Sequence, residues 1–360
     1  MEHHQNHYVP LGHKPAFDGL RAFAVLLVAG VHSRPRIIPG GSVGVDIFFV
    51  LSGFLITTLL MEERDRNGHI AYRKFYARRA LRLIPALAAI LTAVSAYALL
   101  VATPQMRTSA LREVVAAGSY TRTLNIWKGT DGTLLGHTWS LALEEQFYLL
   151  MPVVLAAGIR KGKTATKTII GLGICATIIA TSRNIGLEGP GMLWLQRPEA
   201  LLLGSAAALV RRDHQQLIKA TATRYATQIT TTTVAGLAAV AMWNGADDKH
   251  SIGFTIAAAL SVALILCLAE NETSPIATAF SNNKATWFGR RAYGFYLWHM
   301  PILRLGDDHL HGINTPARIG ISLAAALAAT IISYEIIERP ALKLKTRFQA
   351  PDRKPTTNNQ

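Results

Sequence analysis

The sequence predicts an all-α fold, a polytopic integral membrane bundle of about ten transmembrane helices, and three observations predict it. Half of the 360 residues are apolar and only 16% are charged, with a mean hydropathy of +0.24, a balance foreign to a soluble globule. Apolar runs long enough to cross a bilayer, roughly 17 to 25 residues, recur from one end of the chain to the other. The basic residues behind the net charge of +15 sit in short clusters between those runs. That is where cytoplasmic loops carry them, and it argues against a nucleic-acid partner.

The runs fall near residues 17–33, 43–61, 83–102, 137–158, 168–187, 196–210, 228–246, 252–269, 290–306 and 317–338. The sixth is short, and the first is interrupted by Asp18, Arg21 and His32, so hydropathy by itself could drop either one. With a cytoplasmic N-terminus, the inner loops collect Arg64, Arg66, Arg73, Lys74, Arg78, Arg79 and Arg82, then Arg160, Lys161, Lys163 and Lys167, then Arg211, Arg212, Lys219 and Arg224. The outer loops carry far fewer, as the positive-inside rule requires. Both termini are therefore expected in the cytoplasm of a multi-pass protein of the cell inner (plasma) membrane. Residues 1–16 read as a cytoplasmic tail, 17–340 as one membrane domain, and 341–360 as a basic, disordered tail. The start of the chain lacks the basic region of a secretory signal, so the first span is expected to stay in the mature protein. Cys175 and Cys267 both lie in apolar runs, and neither a disulfide framework nor a metal site is expected.

Ionisable groups inside spans cost roughly 2.5–3.5 kcal/mol on insertion scales, so each points to function. Arg21 and His32 are almost three helical turns apart in the first span, on one face and about 16 Å apart along the axis. Snorkelling of Arg21 and helix-end capping by His32 are the structural alternative. Asp46 opens the second span and returns toward the depth of His32, where its carboxylate could orient the ring and raise its basicity; equally, it could cap a helix start. Gly44, Ser52 and Gly53 suit close helix packing.

Arg79 and Arg82, three apart, share a helix face whose two guanidinium forks could hold the phosphates of a coenzyme A donor, or could merely fix topology or touch lipid. In the fourth span, which begins His137-Thr138-Trp139, residues Ser140, Glu144 and Tyr148 form one stripe. Glu144 could hold an acceptor hydroxyl or orient His32, with a hydrogen bond inside the bundle as the alternative, and Ser140 and Tyr148 are substrate-contact candidates beside it. Glu145 points elsewhere and is the weaker candidate. His299, mid-membrane in the ninth span, is a second-tier substrate contact that a packing role beside Trp298 explains as well. By depth, Arg21, Arg79, Arg82 and Arg291 lie at the inner face, and His32, Asp46, Ser140 and Glu144 in the outer half. A donor-binding layer is thereby separated from a chemistry layer, a layout that suits a polyanionic donor held from the cytoplasm. The stretch from Gly158 to Thr164 is one residue short of a P-loop and follows a membrane helix where a strand would be needed.

Several of these pieces form an ordered set: Phe17-Asp18-Gly19-Leu20-Arg21 with ten residues before His32; Gly44-Val45-Asp46 through Ser52 to Ile56; Arg79 to Pro85; Trp139-Ser140-Leu141 through Glu144 to Tyr148; Arg197 to Gly204; Tyr293 to His299; and Ser333-Tyr334 through Glu338 to Pro340. From first span to last, the set resembles the acyltransferase type 3 family of bacterial membrane O-acyltransferases. The resemblance implies a ten-helix domain that moves an acyl group, usually acetyl from acetyl-CoA, to a hydroxyl of a carbohydrate or of a glycosylated or macrolide-type secondary metabolite. It further implies that Arg21 and His32 are essential and that Arg79 and Arg82 handle the donor. Acyl-CoA is then a donor substrate and no cofactor is permanently bound; the remaining partners are the acceptor and the lipid bilayer. His32 is expected to act as general base or as a transient acyl carrier, oriented by Asp46 or Glu144. A transporter or acyl-group flippase without chemistry of its own stays open, because intramembrane charges also mark translocation paths. A sensor or scaffold is a third class.

Overall fold

The computed structural model describes residues 8–124, 134–160, 162–182, 197–243 and 252–344, and no strand occurs among them. In chain order the helices are α1 (Pro15–His32), α2 (Val43–Asn67), α3 (Tyr72–Leu100), α4 (Pro104–Gly118), α5 (Trp139–Arg160), α6 (Lys163–Ser182) and α7 (Pro198–Met242). They continue with α8 (Ile252–Glu270), α9 (Pro275–Ser281), α10 (Asn283–Arg290), α11 (Ala292–His309), α12 (Thr315–Ser333) and α13 (Arg339–Lys343). A 3₁₀ turn, Gly136–Thr138, leads into α5, and a π turn, Tyr334–Glu338, joins α12 to α13. Among the described residues, six segments are long and apolar enough to cross a bilayer: Pro15–His32, Val43–Asn67, Tyr72–Leu100, Gly136–Gly158, Ile252–Glu270 and Thr315–Lys343. The chain is a helical membrane protein.

Local sequence explains many of the boundaries. Thr103, Ser274, Asn282 and Asn314 each accept a hydrogen bond from the backbone N–H three residues on, capping α4, α9, α10 and α12. Proline sits in the first turn of α1, α4, α7, α9 and α12, where its missing N–H costs nothing. Gly68, at φ +75°, closes α2 in the left-handed conformation that glycine adopts freely.

α7 is kinked. Two spans, near 196–210 and 228–246, with a basic loop between them are predicted, and residues 198–242 hold two helical limbs joined by a kinked segment, the backbone leaving helical φ/ψ at His214 and Tyr225. The segment between the bends holds neither glycine nor proline, so it keeps a helical propensity of its own between the two breaks. Both ends of α7 nevertheless meet the start of α2. Arg197 pairs with Asp46 at 2.5 Å, and the Gly40 N–H donates to the Ala241 carbonyl at 2.8 Å. The stretch near the first bend meets the other end of α2, where Arg212 pairs with Asp65. Asp46 and Asp65 are about 28 Å apart along a helix axis, so α7 runs down the length of α2 and returns. Close approach makes this packing possible: a methyl group added at Gly53 would overlap the Leu201 carbonyl, and one added at Gly204 the Val50 carbonyl.

The molecule thus has two ends. At one, the N-terminal segment is strapped to the bundle. Tyr8 donates to Glu62 at 2.8 Å, Leu11 N–H donates to the same carboxylate at 2.7 Å, and buried Arg211 pairs with Glu270 at 2.6 Å while donating to the Tyr8 oxygen at 2.7 Å. Burial raises the Tyr8 phenol above its ordinary pKa, against the opposing pull of Arg211. Residues 8–11 of the expected tail are therefore docked. At the other end, α4, which sequence reasoning left as an outer loop, packs on α3 and buries Glu113. That carboxylate accepts from Leu134 N–H at 3.0 Å and Leu135 N–H at 2.6 Å, fixing the turn that precedes His137. Of the fifth predicted span, 168–187, the last five positions lie outside the described residues, as do residues 345–360 of the basic tail.

Candidate active site

Three imidazoles converge at the second end. His32 is the last residue of α1, His137 sits in the 3₁₀ turn before α5, and His299 lies in α11. His32 Nδ1 and His299 Nε2 are 2.8 Å apart, with the two rings stacked at 5.1 Å and 19°. His299 Nδ1 lies 2.7 Å from the Tyr296 carbonyl and 3.1 Å from that of Phe295, in the turn below it on the same helix. His137 stands edge-on to both partners, its centroid 6.2 Å from His32 and 5.3 Å from His299. His299 and His137 are buried, whereas His32 is half-buried and its Nε2 makes no hydrogen bond to a described residue. The His137 ring is buried close to the Tyr296 and Leu297 backbone of α11. The His137 backbone is held in place: Tyr296 donates its hydroxyl proton to the His137 carbonyl at 2.6 Å, and Ser140 bonds the Tyr296 oxygen at 2.7 Å.

The carboxylates expected to orient His32 are engaged elsewhere. Asp46, fully buried, pairs with Arg197, whose guanidinium lies 3.7 Å from the Phe254 ring centre. A buried carboxylate is tolerable when a cation or several hydrogen-bond donors compensate it, and for Asp46 the Arg197 guanidinium does so. Glu144 accepts from Ser52 at 2.6 Å and from Tyr148 at 3.0 Å, and lies 3.7 Å from Arg79. It therefore belongs with the arginines and not with His32. Ser140 does join the histidines, through Tyr296. His299, expected at a substrate, instead holds His32.

The donor-binding arginines divide in a similar way. Arg79 is clasped by Glu145, both of whose oxygens lie 3.0 Å from its Nε, and its guanidinium stacks 3.1 Å over the Tyr148 ring centre. With that charge already compensated, a phosphate would have to displace Glu145. Glu145, which sequence reasoning set aside, is thus the principal partner. Arg21 bonds Asp18 at 2.6 Å one turn earlier in α1. Arg82 is exposed and makes no ion pair with a described residue, and its charge is felt by both Arg21 and Glu338. Among the described residues no group of three or more His, Cys, Asp or Glu side chains is arranged to hold a metal ion.

A family model described as an acyltransferase domain, Acyl_transf_3, matches residues 14–337. The chain belongs to this acyltransferase family. Among its relatives, the peptidoglycan O-acetyltransferase OatA of Listeria monocytogenes is 30% identical over 351 residues, covering 91% of this chain and 56% of the relative. The O-acetyltransferase OatA of Staphylococcus aureus is 31% identical over 357 residues, covering 91% of this chain and 57% of the relative. The chain therefore spans little more than half the length of these curated relatives. No solved structure matches it.

Within this acyltransferase domain, sequence reasoning singled out neither His137 nor Tyr296 for a role. Tyr296 lies inside the quoted motif segment Tyr293 to His299, whereas His137 stands two residues before the one that opens at Trp139, so proximity to a motif and not periodicity was the available signal. Arg197 and Glu199 form a further buried charged group with Asp46, and the start of their segment carried only the family motif as a flag.

Proposed function

We propose that this chain is the membrane-embedded part of an O-acyltransferase that takes an acetyl group from acetyl-CoA on the cytoplasmic side and places it on a glycan hydroxyl beyond the inner membrane. The observation that carries this reading is the His32 ring, anchored through Nδ1 with Nε2 uncommitted, three turns along α1 from Arg21. That geometry supports general base chemistry. Nε2 takes the proton of the acceptor hydroxyl as its oxygen forms a bond to the thioester carbonyl carbon; the carbon–sulfur bond then breaks, and the departing thiolate recovers the proton from the imidazolium. His137, edge-on to His32, is placed beside that reaction. Arg82 and Arg21 are the cations best disposed to meet the donor phosphates, with Arg79 holding Tyr148 and Glu144 in position. Peptidoglycan is the first acceptor to test, because the Listeria relative is named for it.

In this reading the two limbs of α7, together with α6 and α11, complete ten spans, and both termini face the cytoplasm in keeping with the clusters of basic residues at that end. Purified protein in nanodiscs, given radiolabelled acetyl-CoA and a soluble glycan fragment, tests the assignment. His32→Ala should lose about 10²-fold or more of the transfer rate with an unchanged melting temperature. Undiminished transfer by that variant, or uptake of label with no acetylated product, would contradict it.

A further inference from the structure

We propose that His299 is a positioning residue that fixes the tautomer of His32, through a hydrogen-bond chain anchored on the α11 backbone. The inference deepens the reading of His32 as the reacting ring and rests on it. Its starting point is an atom with no freedom of role. The carbonyl oxygens of Tyr296 and Phe295 can only accept, and they lie 2.7 and 3.1 Å from His299 Nδ1, so that nitrogen carries the proton. A neutral imidazole has one N–H, so His299 Nε2 presents a lone pair. The 2.8 Å contact to His32 Nδ1 then needs its donor from the other side, and His32 is protonated on Nδ1. Its Nε2 is left with the lone pair that proton abstraction or acyl attack requires.

The opposite assignment fails on the same distances. Were His299 protonated on Nε2, its bare Nδ1 would face two carbonyl oxygens, and its Nε2–H would meet His32 Nδ1 as an acceptor, leaving the proton of His32 on the nitrogen that must react. Among the described residues, His299 is the hydrogen-bond partner recorded for His32 Nδ1. His137 meets the ring edge-on at 6.2 Å between centroids, and the charges felt by His32, those of Arg304 and Arg36, belong to donors. Burial and stacking hold the chain in register, since His299 is fully buried and its ring is stacked on both Phe295 and His32. A backbone carbonyl thus does for this pair what a carboxylate does in a hydrolase triad, where a wrong tautomer costs about 10⁴-fold in turnover. When His32 gains a second proton, His299 Nε2 still accepts from Nδ1 and stabilises the cation.

The test is the protonation pattern of His32, read from nitrogen-15 spectra of histidine-labelled protein in nanodiscs and assigned by the signals that vanish in His32→Gln. The expected pattern is protonated Nδ1 and bare Nε2. In His299→Phe, which keeps a stacked ring but offers no acceptor, Nε2–H should appear. There kcat should fall on the order of 10²-fold or more, with the KM for acetyl-CoA unchanged. His299→Gln, whose side-chain oxygen can accept from Nδ1, should recover at least about tenfold of that loss and retain the wild-type pattern. Protonated Nε2 in the wild-type protein would overturn the proposal, as would a His299→Phe protein with unaltered spectra and kcat. Should His299→Phe not fold, the wild-type and His299→Gln spectra still decide. Full activity in His32→Ala would instead remove the reading beneath it, whatever the spectra show.

Discussion

Arg79 could answer to a phosphate or to a carboxylate, and in this bundle carboxylates reach it first. Its planar fork meets both oxygens of Glu145 while its face covers Tyr148, a combination that lysine cannot reproduce. Removing one member of a fully buried pair typically costs about 3–5 kcal/mol, and this half-buried, bidentate pair should cost less than that. Glu145→Ala should therefore lower thermal stability, and Arg79→Ala,Glu145→Ala should be less destabilised than the sum of the single variants. Additive losses in a double-mutant cycle would show the two side chains to be uncoupled. The spacing of Arg79 and Arg82 was readable in the sequence, but their partners were not. Which carboxylate completes an ion pair depends on how α3 packs against α5, and nothing in either segment alone encodes that. The same is true of His32 and His299: helix periodicity relates residues three or four apart, and these two are joined only by the packing of the first span on the ninth.

Among elements, the pairing of α2 with α7 has a defined physical basis. Two glycines, Gly53 and Gly204, each face a carbonyl of the other helix so closely that a Cβ cannot be accommodated, as small residues permit in membrane bundles. Gly204→Val should destabilise the protein by about 1–3 kcal/mol or more, whereas Gly320→Ala, at an exposed position of α12 with nothing within 4 Å, should be neutral or slightly stabilising. Melting temperatures in one detergent compare them directly, and equal losses would remove the packing argument. Most helices were legible as apolar runs, because burial in lipid or in the bundle demands apolar side chains along the whole length. The two limbs of α7 were legible as two runs, but the helical character of the polar segment between its kinks was not, since that segment reads as a loop by hydropathy while its composition favours helix. α4 escaped notice because its role is to bury Glu113 under the Leu134–Leu135 turn, a contact across an outer segment that carries no run of its own.

Taken whole, the molecule sorts its polar groups by end. The strapped N-terminal segment, the Arg211–Glu270 pair and the exposed Arg82 contrast with the three imidazoles and the Asp46–Arg197 pair. Two polar regions separated by roughly the thickness of a bilayer's hydrocarbon core are what a donor and an acceptor on opposite faces would need. Arg21 and His32 stand about three turns apart on α1, and Glu144, expected in the layer of His32, is tied by the fold to Arg79. Charge asymmetry between loops signalled the ends, whereas the depth of a residue inside a span depends on tilt and bending that hydropathy does not record. The most direct measurement uses sealed, inside-out vesicles containing the protein, with a glycan acceptor trapped within and labelled acetyl-CoA added outside. Label should accumulate on the enclosed acceptor and be lost in His32→Ala; label on external acceptor alone, or on enclosed acceptor at equal rates with and without the His32 ring, would contradict the account.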